Sequence, residues 1–131
     1  MDKLTLQQRT KAFALRIIRL SAHLPNRTEA TVLGKQLLRC GTSVGANYRA
    51  ACLAKSKADF LAKIKICEEE ADECIYWLEL LADASIIKPE LLAPLLQEAR
   101  ELAAIMAAAA RTSRSRLLNS PPHSQTLPNS K

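Results

Sequence analysis

Aromatic residues are scarce in this chain of 131 residues: two Phe, two Tyr and one Trp. A surface that reads single-stranded nucleic acid by stacking bases on rings therefore has little to work with. Only three glycines occur, Gly34, Gly41 and Gly45, and none follows a strand-like run, which disfavours a phosphate-cradling glycine loop. The six prolines lie at element boundaries or near the C-terminal end. His23 and His123 are the only histidines, and neither has a Glu three residues before it. That removes the Glu-x-x-His pattern of di-iron bundles. Four cysteines are present, Cys40, Cys52, Cys67 and Cys74, without a C-x-x-C pair. Their spacing does not match a zinc site, and they read as small core residues of a reduced protein. No uncharged apolar run approaches the ~18 residues of a membrane helix. The N-terminus, with Asp2 and Gln7-Gln8-Arg9, lacks the layout of a signal peptide. The expectation is a cytoplasmic protein without cofactor.

What the chain has is alanine, leucine and segregated charge. Residues 1–57 hold 11 Lys/Arg against two acids, Asp2 and Glu29. Residues 58–110 hold 4 Lys/Arg against 11 acids, and residues 111–131 hold 4 bases and no acid. The net charge of +6 hides this division.

Apolar residues recur with helical period in four blocks. Leu6, Thr10, Phe13, Ile17, Leu20 and Leu24 form one stripe over 4–24. Leu15, Ile18 and Ala22 fall on the opposite side, so this helix has a second apolar face suited to another subunit. A second helix is expected over 29–54, with Thr28 as N-cap. Its core stripe reads Leu33, Leu37, Cys40, Val44, Asn47 and Ala51. The third, over 57–84, carries Phe60, Ile64, Cys67, Ala71, Cys74, Leu78 and Leu81, behind a capping-box-like Ser56 and Asp59. The fourth starts at Pro89, a favoured first helical residue, and ends near 111, with Pro94 marking a bend or a late start. Its stripe is Leu92, Leu95, Ala99, Leu102, Met106 and Ala109. Residues 112–131 read as a disordered, basic, Ser/Pro-rich tail. Four amphipathic helices with short connections predict an all-α, antiparallel, up-down-up-down four-helix bundle over 1–111.

Gly34, Gly41 and Gly45 all lie on one strip of the second helix, about a quarter turn from its core stripe. Each costs ~1 kcal/mol against Ala inside a helix, so their alignment predicts close approach of a neighbouring helix, with a kink in this second helix as the alternative. Asn47, placed in the core stripe, is a candidate for fixing register.

The acidic run Glu68-Glu69-Glu70-Ala71-Asp72-Glu73 suggests a metal protein or bundle enzyme as the alternative reading. On a helical wheel these acids point in several directions away from the core, which suits a solvated or intersubunit face. Thr42 and Ser43 have no base beside them in sequence that would make a nucleophile, and a non-enzymatic protein is expected. Arg16, Arg19, Lys35, Arg39 and Arg49 form a candidate surface for sequence-independent RNA or DNA binding through phosphates. The same cationic half could instead face the anionic half of another copy and orient self-assembly.

The segment Leu38-Arg-Cys-Gly-Thr-Ser-Val-Gly-Ala-Asn-Tyr-Arg-Ala50, with Lys57-Ala-Asp-Phe60, Glu69-Glu-Ala-Asp-Glu73 and Tyr76-Trp-Leu-Glu-Leu-Leu81, resembles a bacterial family of four-helix bundles. That family is named for proteins encoded in intervening sequences of 23S ribosomal RNA genes, and the resemblance covers about residues 8–110. Many members carry Ala-Glu-Gly after the shared Asn, where this chain has Tyr48-Arg49-Ala50. The resemblance implies a ring-shaped homo-oligomer, typically a pentamer, with no catalytic residues. It extends to the accessory protein of diversity-generating retroelements, a basic pentamer that works with a reverse transcriptase and nucleic acid. A reverse transcriptase partner is implied by that resemblance alone.

Overall fold

The computed structural model describes residues 1–119. They form four helices: α1 Lys3–Ala22, α2 Thr28–Cys52, α3 Lys57–Asp83 and α4 Pro89–Leu118. No described residue is in a strand. α2 against α3 and α3 against α4 are the broadest interfaces, α1 rests mainly on α2, and α4 meets α1 along a narrower seam.

The directions follow from which residues meet. Gly41 and Gly45 of α2 face Ile17 and Thr10 of α1, and Gly34 faces Leu24 just beyond its end, so the two run antiparallel. Cys40 meets Cys74, and the Cys67 thiol reaches the Val44 carbonyl, which makes α2 and α3 antiparallel. Glu79 pairs with Arg100 between α3 and α4. Arg9 of α1 reaches Glu98 and Glu101 of α4. The core along the axis includes Phe13, Ile17, Leu37, Val44, Ile64, Leu78, Leu102 and Met106.

Local chemistry sets the helix ends. Asp2 accepts from the Thr5 N–H at 2.7 Å and caps α1. At α3, Ser56 Oγ accepts from the Asp59 N–H at 3.0 Å. Asp59 in turn accepts from the Lys55 N–H at 3.1 Å, a near relative of the capping box. α3 ends in a Schellman motif, with Ile86 N–H donating to Leu81 O and Ser85 N–H to Ala82 O, both at 3.0 Å. Ser85 takes the left-handed conformation at φ 59° that this motif requires.

Four sequence expectations change. Thr28 is the first residue of α2 rather than its N-cap; Arg27 holds that position without a side-chain hydrogen bond. α4 begins at Pro89 and continues through Pro94, so Pro94 does not mark a late start. The missing Pro94 N–H deprives only the Glu90 carbonyl, on an exposed residue where water can replace it. α4 also continues past 111 to Leu118, because Met106, Ala110 and Ser113 extend the buried stripe and a polar Ser113 disguised it. The remainder of the expected disordered tail lies outside the described residues. Lastly, the buried face of α2 is rotated toward its glycines: Gly34, Gly41, Gly45 and Tyr48 are buried, while Leu33 and Asn47 are half-buried. Asn47 donates only within its own helix, to Ser43 O at 2.9 Å and Ser43 Oγ at 2.8 Å. Among the described residues it has no hydrogen bond to another helix of the kind that fixes register.

Candidate interaction surfaces

The glycine strip brings α1 close to α2. A Cβ on Gly41 would lie 2.8 Å from Ile17 Cγ1, one on Gly45 3.2 Å from Thr10 Oγ1, and one on Gly34 2.6 Å from Leu24 Cδ1. Thr10 is itself buried, and its hydroxyl is held by the Leu6 and Gln7 carbonyls, both at 3.0 Å.

Close packing leaves shallow grooves along the outer α1–α2 side. One is lined by Leu4, Gln7, Lys11, Thr42, Ala46 and Arg49. Further along, Ser21, Leu24, Gly34, Lys35 and Leu38 line another. The charges bordering this side are basic. Leu15 and Ile18 of α1 remain 42% and 44% exposed, so the second apolar face of α1 is not used within the subunit.

The α3–α4 side has the opposite character. Glu68, Glu69 and Asp72, with Lys65, border a groove floored by Ala103, Ala104 and Ala107. With helices in the order α1, α2, α3, α4 around the bundle, this groove and the basic one lie on opposite sides.

The five predicted cations do not form one surface. Arg39 lies across the α2–α3 seam, paired with Glu70 at 3.2 Å and with Glu73. Glu73 also accepts from Trp77 Nε1 at 3.1 Å. Lys35 and Arg49 border the α1–α2 side. Arg16 sits two turns after Arg9, so it shares the strip facing α4, and Arg19 is exposed further along α1. Among the described residues, Arg16, Arg19, Lys35 and Arg49 have no carboxylate partner.

The acidic run is likewise divided. Glu70 and Glu73 serve Arg39, while Glu68, Glu69 and Asp72 border the alanine groove. Among the described residues, no three His, Cys, Asp or Glu side chains converge as metal ligands would. Thr42 Oγ1 donates to the Leu38 carbonyl at 2.8 Å, and Ser43 Oγ accepts from Asn47, so both hydroxyls are occupied within α2. No described helix is long and apolar enough to cross a membrane.

Sequence reasoning missed two features. Arg9 forms a bidentate pair with Glu98, at 2.8 and 2.7 Å, and also reaches Glu101 at 2.8 Å. Its wheel position beside Arg16 was readable, but not which helix would lie opposite. The alanine floor of the acidic groove was also readable only as helix-forming composition.

The family model described as 23S rRNA-intervening sequence protein matches residues 2–108. A solved structure of a protein of unknown function from the S23 ribosomal protein family of Bacteroides thetaiotaomicron is similar, with 36% identity and a TM-score of 0.78. The match covers 85% of this chain and 99% of that one. No protein of curated function matches.

Proposed function

Since the chain belongs to the 23S rRNA-intervening sequence protein family, whose solved relative is itself of unknown function, we propose that it is a non-enzymatic, self-assembling interaction protein. The observation that carries this reading is the opposed pair of grooves, basic on the α1–α2 side and acidic over alanines on the α3–α4 side. Two different, complementary faces on opposite sides favour head-to-tail association. Such an interface closes into a ring when the rotation per subunit divides a full turn. The exposed Leu15 and Ile18 supply apolar area that charge alone does not. A pentamer is the ring that the family resemblance implies.

Light scattering at micromolar concentration tests this directly. A mass near five chains is expected, and a monomer mass overturns it. Arg49→Glu and Glu69→Lys should each weaken assembly, and mixing the two variants, which matches changed face with changed face and natural with natural, should restore it in part. Unchanged assembly in both variants rejects these faces.

A second activity, sequence-independent binding of RNA or DNA, is favoured by the unpartnered cations. Arg16 and Arg19 carry it best, since Arg39 is engaged by α3 and Arg49 borders the assembly face. Retention of a nucleic acid should fall steeply with salt and drop in Arg16→Glu/Arg19→Glu. An Arg39→Glu/Arg49→Glu double variant distinguishes the two edges. Retention insensitive to all four positions rejects this surface, and no retention at low salt overturns the activity.

A further inference from the structure

Between α2 and α3, two thiols face each other in the core. The Cys74 S–H donates to Cys40 Sγ at 3.2 Å, and the Cys40 S–H points to the Leu37 carbonyl at 3.5 Å. Both residues are 0% exposed. They are 34 positions apart in sequence and belong to antiparallel neighbours, so a bond between them would tie the two helices near mid-length. Above the pair lies the ion-pair cluster of Arg39, adjacent in sequence to Cys40, with Glu70 and Glu73, the latter adjacent to Cys74.

We infer that Cys40 and Cys74 form an oxidative modification site: a reversible disulfide that clamps α2 to α3 when the protein meets a peroxide. The other two cysteines have different surroundings. Cys67 donates to the Val44 carbonyl at 3.6 Å, and Cys52 is half-buried near the end of α2. Only Cys40 and Cys74 are in sulfur–sulfur contact among the described residues.

The chemistry divides between the two sulfurs. The Cys74 hydrogen bond favours the Cys40 thiolate and lowers that thiol's pKa, while donating to Cys40 raises that of Cys74. Cys40 is therefore the first nucleophile. Its sulfur attacks one oxygen of hydrogen peroxide; the O–O bond breaks, the departing hydroxide takes up the thiol proton, and water leaves with Cys40 as a sulfenic acid. The Cys74 sulfur then attacks Cys40 Sγ, the S–O bond breaks, and the Cys74 proton leaves with the hydroxyl as a second water. Each sulfur loses one electron, and one peroxide becomes two waters. Peroxide is small and uncharged, and reaches the pair through local opening of the α2–α3 seam. The cross-link closes a loop long enough to restrict the unfolded chain appreciably.

The test uses the full chain, reduced and then exposed to hydrogen peroxide, with remaining thiols blocked after unfolding. Peptide mapping without reductant should recover one linked pair, Cys40 with Cys74, with Cys52 and Cys67 blocked as free thiols. Thermal unfolding should shift up by about 10 °C, and dithiothreitol should reverse the shift. Cys40→Ala should abolish both effects, and Cys52→Ala should keep both. If Cys40→Ala does not fold, the map on the natural sequence still decides. Four free thiols after peroxide, a bond through Cys52 or Cys67, or a Cys40–Cys74 bond that lowers the unfolding temperature would each overturn the inference.

Discussion

Gly41 and Ile17 touch so closely that the smallest side chain would not fit between their helices. A methyl on Gly41 would meet Ile17 Cγ1 at 2.8 Å, Cγ2 at 2.9 Å and Cβ at 3.1 Å. Ile17 is 0% exposed and branched at Cβ, so it has little room to yield. Gly41→Ala should therefore cost about 1–3 kcal/mol through overpacking, more than the ~1 kcal/mol of helix propensity it returns.

The same substitution should grade along the strip. At Gly45 the neighbours are Thr10 Oγ1 at 3.2 Å, Cβ at 3.3 Å and carbonyl carbon at 3.5 Å, so Gly45→Ala should cost somewhat less than Gly41→Ala. At Gly34 the obstacle is Leu24 Cδ1, the mobile end of a half-buried side chain. Gly34→Ala should be neutral or stabilising by up to ~1 kcal/mol. Urea denaturation of the three variants checks the order, and a Gly34 variant as damaged as Gly41 would contradict it.

Ser85 bears a left-handed backbone that glycine adopts without penalty. Ser85→Gly keeps the Schellman hydrogen bonds and should raise stability by about 0.5–1 kcal/mol. An unchanged or lowered denaturation midpoint would show that the Ser85 side chain contributes something glycine cannot replace.

Arg9 is the ionic tie between α1 and α4 where apolar packing is narrow. Its fork meets Glu98 with side-chain exposures of 25% and 17%, so solvent screening is partial. Arg9→Met should cost about 1–2 kcal/mol and increase hydrogen exchange selectively in α1. Uniform exchange changes in all four helices would place the tie elsewhere.

Acid should loosen the starts of α1 and α3 and the tie between α1 and α4. Folding holds Asp2 below its ordinary 3.8 through the Thr5 N–H, and Asp59 below 3.8 through Lys63. It holds Glu101 below its ordinary 4.5 through Gln97 and then Arg9. For carboxyls lowered in the folded state, the contribution is complete above the unfolded value and disappears as pH falls through the folded one. Stability should be flat above about pH 5 and decline below 4.5 and 3.8 in turn. Asp59→Asn should flatten part of that decline; an unaltered profile would remove Asp59 from the account.

Thiol reactivity should separate the cysteines. Burial pushes the Cys67 thiol up to about 12, and Cys40 and Cys74 are fully buried, whereas Cys52 is half-buried. A bulky alkylating reagent at neutral pH should label Cys52 first and the other three only on unfolding. Early labelling of Cys67 would contradict its burial.

The sequence by itself determined the four helices, their approximate limits and most of the core, because each stripe repeats with helical period and short connections force neighbours to run antiparallel. It also placed the three glycines on one strip of α2. Periodicity shows which residues share a face, however, and not what lies opposite. Tertiary structure therefore decided that the glycine strip meets α1, turning α2 so that Asn47 left the core and Tyr48 entered it. It decided that Arg39 belongs to the α2–α3 seam while Arg16 and Arg49 lie on other sides, since electrostatic partners come from another helix. Ser113 shows the remaining gap: a polar residue in a core position reads as the end of a helix until Met106, Ala110 and the packing of α3 against α4 carry the stripe past it. Side-chain pattern specifies a helix locally, whereas the contacts between helices depend on the complementary shapes and charges of surfaces far apart in the chain.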